Sequence, residues 1–155
     1  MGEVLALEHV ALIVSDLESS RHFYQDVLGL DNIERVEHAG PALEKMFGLK
    51  GVDEIEYRMR APRGPGPGGR APGFTIDLIQ HRAPKGAQRR PSVNEIPTAH
   101  FAFGVKDLQA TYERLKAQGV DFVSPPVTFP EEEGGWKVLF FRDPDGYLLE
   151  LVQVG

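Results

Sequence analysis

The chain has 155 residues, 41% of them hydrophobic and 26% charged, with a formal net charge of −6 and no cysteine. That length suits one domain, or two small modules sharing a core, with roughly two-thirds of the unfolded surface buried. The acidic balance excludes a general nucleic-acid binder, which needs clustered Lys and Arg to neutralise phosphates, and the absence of cysteine excludes disulfides and thiolate zinc sites. No apolar run approaches the roughly 18–20 residues that cross a bilayer, so no membrane partner is expected. The start of the chain, Met1-Gly2-Glu3-Val4-Leu5-Ala6, has neither a basic opening nor the apolar stretch of a signal peptide. The expectation is a soluble cytoplasmic protein whose partner is a metal or a small polar molecule.

Taken in chain order, residues 7–14 predict a strand. After it Leu17, Phe23, Tyr24, Val27 and Leu28 fall at helical spacing behind Asp16 and stop at Gly29. A strand near Ile33 to Glu37 follows, then a short helical turn near Ala42 to Phe47. Alternation of Ile55, Tyr57 and Met59 then predicts a half-buried strand. From Ala61 to Gly73 the prolines Pro62, Pro65, Pro67 and Pro72 among glycines break any regular pattern and predict a mobile hairpin loop, a flexible flap rather than a phosphate loop. A strand over 74–80 closes the first module.

The basic, proline-containing stretch 82–96 predicts a solvated linker. The second module repeats the scheme: a strand over 98–105, a helix over 108–118 capped by Asp107 and stopped by Gly119, and a strand from Asp121 bent at Pro125-Pro126. An acidic Glu131-to-Gly135 turn leads into the strand Trp136 to Phe141. The turn Asp143-Pro144-Asp145-Gly146 precedes a last strand over 147–153. The chain thus reads as a single domain, 1–155, of two strand-helix-three-strand modules at about 5–81 and 97–154. A helix covers only one face of such a sheet, so the two modules are expected to join in one curved sheet whose cupped face carries side chains from both copies.

The repetition extends to chemistry. The strand Leu7-Glu8-His9-Val10-Ala11-Leu12 is answered by Thr98-Ala99-His100-Phe101-Ala102-Phe103, and Thr75-Ile76-Asp77-Leu78-Ile79-Gln80 by Leu148-Leu149-Glu150-Leu151-Val152-Gln153, so His9 falls on His100 and Asp77 on Glu150. A carboxylate in the middle of an apolar strand is costly without a partner, and pairing both acids with the two histidines explains all four residues as one metal site. Arg58 and Trp136, on inner strands, are candidates to line a substrate pocket. His22, His38 and His81 read as structural or solvated, and so do Arg82, Lys85, Arg89 and Arg90; Phe101, Phe103, Phe140 and Phe141 read as core.

The segments Glu8-His9-Val10-Ala11, Phe23-Tyr24-Gln25-Asp26-Val27-Leu28-Gly29-Leu30, His100-Phe101-Ala102-Phe103 and Phe141 to Leu151 together resemble the vicinal oxygen chelate superfamily of glyoxalases, bleomycin-resistance proteins and extradiol dioxygenases. The resemblance covers nearly the whole chain. It implies an α+β fold of two tandem βαβββ modules forming a cupped mixed sheet, with metal ligands on the first and last strands at His9, Asp77, His100 and Glu150. It also implies that Glu150, with Asp77 opposite, acts as weak ligand and base. Asp77 departs from the Glu, Gln or His usual there.

Nitrogen and oxygen ligands without sulfur suit one divalent Ni, Co, Mn, Fe or Zn ion, and four of them leave two neighbouring positions for vicinal oxygens of a substrate. The first expectation is a metal-dependent lyase or isomerase of the glyoxalase I and methylmalonyl-CoA epimerase kind, acting as a homodimer on a small molecule. The second is a metal-free binding or resistance protein that sequesters an aromatic natural product. The third is an extradiol-type Fe(II) dioxygenase using His9, His100 and Glu150.

Overall fold

The computed structural model describes residues 8–61 and 75–154. The chain divides into two compact units, 1–87 and 88–155. Leu7, Phe74 and nearly all of the Pro/Gly-rich loop lie outside the described residues.

The first unit runs β1 (His9–Ile13), α1 (Leu17–Arg21) continued by a π-helical turn (His22–Val27), β2 (Asp31–Ala39), α2 (Pro41–Phe47), β3 (Asp53–Arg60) and β4 (Thr75–Ala83). Its sheet has the order β1-β4-β3-β2, with β1 and β4 parallel and the other neighbours antiparallel. Helix α1 starts where Asp16 accepts a hydrogen bond from the Ser19 amide at 2.7 Å, which satisfies one of the free amides of the first turn. The Leu17 amide donates to Gln80 Oε1 at 2.9 Å, tying the helix to β4. Leu12, Leu17, Tyr24, Met59, Ile76 and Leu78 form the buried core on the helix side.

Two local expectations are corrected here. The helix does not run on in α-form to Leu28 but widens at His22, closing with a bond from the Leu28 amide to the Phe23 carbonyl at 3.0 Å. The wider turn lets the adjacent Phe23 and Tyr24 both go inward, edge to face at 5.3 Å. The strand expected to close the first module over 74–80 runs on to Ala83 and pairs His81 with Glu54.

The second unit runs β5 (His100–Val105), α3 (Leu108–Ala117), β6 (Asp121–Phe122), β7 (Val127–Thr128), a 3-10 turn (Glu131–Glu133), β8 (Lys137–Arg142) and β9 (Leu148–Gln153). Its sheet order is β5-β9-β8-β6, with β7 also paired to β8 and β5 parallel to β9. The devices of the first unit recur. Asp107 accepts from the Ala110 amide at 2.9 Å, and the Leu108 amide donates to Gln153 Oε1 at 3.1 Å. Leu108, Leu115, Leu139, Phe141, Leu149 and Leu151 are buried. Asp143 accepts from the Asp145 and Tyr147 amides at 3.0 and 2.8 Å, fixing the turn that delivers β9.

The architecture is therefore α+β, with two mixed sheets and few helices. No helix among the described residues is long and apolar enough to cross a membrane.

Candidate functional site

The parallel pairs β1–β4 and β5–β9 hold the same register. His9 stands opposite Thr75 and Ala11 opposite Asp77; His100 stands opposite Leu148 and Ala102 opposite Glu150. Because side chains alternate along a strand, each His and the carboxylate two steps along the partner strand share a face and lie within diagonal reach. His9 Nδ1 is 4.0 Å from Asp77 Oδ2, and His100 Nε2 is 3.3 Å from Glu150 Oε2. Both histidines are about half exposed, while the Asp77 side chain is 6% and that of Glu150 17% exposed.

In the first unit the carboxylate is clamped. Thr75 Oγ1 donates to Asp77 Oδ1 at 2.7 Å. Arg58, directly opposite Asp77 on β3, brings its Nε to 4.0 Å from Oδ2 while donating to Glu56 at 2.7 Å and, through Nη1, to Glu34 at 2.8 Å. The bond to Glu56 raises the guanidinium pKa above its ordinary value, so Arg58 is a permanent cation beside Asp77. Further along the same face lie Glu54 and His81. Burial pushes the Glu54 carboxyl above the usual carboxylate range, against the opposing pull of His81 and His38. Glu54 Oε2 and His81 Nδ1, 3.5 Å apart, are buried and lack a hydrogen-bond partner among the described residues. His38 turns instead to Glu56, with Nε2 at 3.9 Å from Oε2.

In the second unit the residue opposite the carboxylate is Phe140, whose ring meets the His100 ring edge to face at 5.0 Å. Phe140 is thereby moved from the expected core to the opposite face of β8, since Leu139 and Phe141 take the buried positions. A cavity of about 410 Å³ opens there, lined by Phe129, Glu133, Trp136, Val138, Phe140, Glu150 and Val152.

The structure thus pairs His9 with Asp77 and His100 with Glu150, sets Arg58 beside Asp77, and places Trp136 in the same cavity wall as Glu150. Within either unit, among the described residues, no third His, Asp or Glu completes a metal-binding group. Reading the sequence alone misses Thr75, Glu54, Glu56, Phe129 and Glu133. A threonine two residues before Asp77 on the same strand face was a usable signal for the first; the others depend on cross-strand register or loop position. His22 bonds Asp26 at 2.8 Å on the surface; Arg82 pairs with Asp53 and Glu37, and Arg90 with Asp121.

Comparison with known proteins adds an independent line. The family model described as the Glyoxalase/Bleomycin resistance protein/Dioxygenase superfamily matches residues 6–151. A lactoylglutathione lyase of Haemophilus influenzae is 28% identical over 145 residues, covering 94% of this chain and 90% of that one. Among solved structures, a glyoxalase family protein from Bacillus cereus superposes with a TM-score of 0.81 at 21% identity, over 98% of this chain and 95% of the other. TnmS3, an antibiotic binding protein from Streptomyces sp. CB03234, superposes with a TM-score of 0.61 at 17% identity over the full length of both.

Proposed function

Because the chain belongs to the glyoxalase/bleomycin resistance protein/dioxygenase superfamily, we propose that it is a metal-dependent lyase or isomerase of the glyoxalase I kind, acting on a small substrate with oxygens on neighbouring carbons. The observation that carries this reading is the repetition of one His–carboxylate pair at the same cross-strand register in both units. The lactoylglutathione lyase relatives support it, since the lactoyl group has its hydroxyl and carbonyl on adjacent carbons.

The donor set fits a divalent ion. In each pair an imidazole nitrogen and a carboxylate oxygen share a strand face, and the 3.3 Å between His100 and Glu150 is a separation that neighbouring ligands of one ion can adopt. On this reading His9, Asp77, His100 and Glu150 hold the ion, be it Ni, Co, Mn, Fe or Zn, in a homodimer. When bound, it would polarise a substrate carbonyl as a Lewis acid.

The chain's own residues then divide the work. Glu150, longer than Asp77 and lining the cavity, is the base: in the adduct of a thiol with a 2-oxoaldehyde it takes the proton from the sulfur-bearing carbon and returns one to the neighbouring carbon, while the hydroxyl proton passes to the former carbonyl oxygen. That is an isomerisation to a 2-hydroxy thioester with no net loss of atoms. Asp77, bonded to Thr75 and set beside Arg58, is the fixed carboxylate. Arg58, beside Asp77 in the first unit, and Trp136, in the cavity wall of the second, are the further residues assigned to the substrate on this reading.

The test is thioester formation from glutathione and methylglyoxal by protein loaded in turn with each of the five metals. Acceleration that chelator and His100→Ala both abolish is expected; no acceleration with any of them would overturn the proposal. The exposed Trp136 in an apolar cavity favours a second reading, sequestration of an aromatic compound without chemistry. Ligand affinity indifferent to chelator, together with absent catalysis, would move the assignment there.

A further inference from the structure

We infer that the cavity of the second unit selects a flat aromatic group bearing a positive charge, seated between Trp136 and Glu133. The inference rests on the proposed function for the location of the reacting centre at Glu150 and concerns the opposite end of the ligand.

Three observations converge on it. The first is the wall itself. Phe129, Trp136 and Phe140 supply three aromatic rings around about 410 Å³, room for a fused two-ring system. Trp136 is 57% exposed, a large apolar surface left uncovered in the free protein.

The second is that the indole platform is built in. Gly134, at φ +100°, lies so close that a Cβ there would come within 2.5 Å of Trp136 Nε1. Only glycine takes that backbone conformation freely and leaves space for the ring. Gly135, at φ +61°, admits the Glu131 carboxylate in the same way, since a Cβ there would meet Glu131 Oε2 at 3.0 Å. The turn thus holds both the ring and an acidic group against its backbone before any ligand arrives, which lowers the ordering cost of binding.

The third is charge. The charged residues in the wall are Glu133 and Glu150. Glu150 is engaged with His100, whereas the Glu133 amide donates to the Pro130 carbonyl at 3.0 Å and its carboxylate has no ion-pair or hydrogen-bond partner among the described residues. Glu131 and Glu132 of the same turn add to the negative field. Lys137, the nearest basic residue in sequence, alternates to the other face of β8 from Val138 and Phe140. A free carboxylate or phosphate on the ligand would be repelled at this end, while an ammonium would meet Glu133 and the face of a tryptophan, the best aromatic partner for a cation.

The test compares three probes of one shape by titration calorimetry: 1-naphthylmethylamine, 1-naphthylmethanol and 1-naphthoate. Each is measured on chelated and on metal-loaded protein. Because Trp136 is the single tryptophan, 5-fluorotryptophan labelling gives one fluorine resonance that reports directly on the cavity. The amine is expected to bind about fivefold or more tightly than the alcohol, with the acid weakest, and to shift that resonance. Glu133→Gln should at least halve the preference for amine over alcohol, and Glu133→Lys should reverse the order of amine and acid. Equal affinity for acid and amine, an unmoved resonance, or a preference undiminished by Glu133→Gln would each overturn the inference. Failure of the metal-dependent reading would show separately, as absent thioester formation whichever probe binds best.

Discussion

In the first unit the site carboxylate faces a guanidinium; in the second it faces a phenyl ring. Asp77 stands across β3–β4 from Arg58, and Glu150 stands across β8–β9 from Phe140. Three devices beneath them are matched: the His–carboxylate register, the Asp16 and Asp107 caps, and the Gln80 and Gln153 bonds to the first helical amide. The backbone frame has been kept while the neighbours have diverged. A short carboxylate held by Thr75 beside Arg58 suits fixed charge, and a longer one at an apolar wall suits proton movement.

The sharpest way to break this contrast is to neutralise each acid. Glu150→Gln should lower kcat for thioester formation by about 10²–10⁴-fold, while Asp77→Asn should lower it by about tenfold, KM being measured alongside. Equal losses would erase the division of labour.

Next come the residues opposite the acids. Arg58→Met leaves the buried Glu56 and Asp77 without their cation, and urea unfolding should show a loss of about 2 kcal/mol. Phe140→Leu, at the matching place, should cost about 1 kcal/mol and chiefly reshape the cavity. The shared frame predicts equality instead: Gln80→Ala and Gln153→Ala should each cost about 1 kcal/mol by the same measurement, since each strands one helical amide.

The smallest effect concerns Glu54. Its folded pKa lies above the unfolded one because of burial, so between those values the native state holds a proton that the unfolded chain has released. Stability therefore falls as pH rises through that interval and stays reduced above it. Glu54→Gln should raise stability by about 0.5–1 kcal/mol at pH 8, a gain that vanishes as pH drops through the ordinary carboxylate range. His81, His38 and Glu56 face the same group and set how wide the interval is.

Much of this was legible in the chain. Strands carry a period of two and helices announce their starts, so the repeat of His9 in His100 and Asp77 in Glu150, with Asp16 and Asp107 ahead of their helices, could be read directly. What could not be read depends on register between strands distant in sequence. Nothing local says that Arg58 lies opposite Asp77, or that Phe140 leaves the core to face Glu150. Glu54 and Glu56 alternate with Ile55 and Tyr57 as a solvated face would, yet both are buried. Pattern alone does not say what covers a polar face. The widening at His22 arises from packing Phe23 and Tyr24 together, a tertiary demand that helical spacing does not express.

The most direct test of the central claim is elemental analysis of tag-free protein before and after dialysis against chelator, run beside His9→Ala and His100→Ala. The account predicts about one equivalent of a divalent metal per chain, removable by chelator and absent from both variants, because each unit supplies one His–carboxylate pair. Wild-type protein that takes up none of the five metals, or variants that keep the wild-type content, would contradict it.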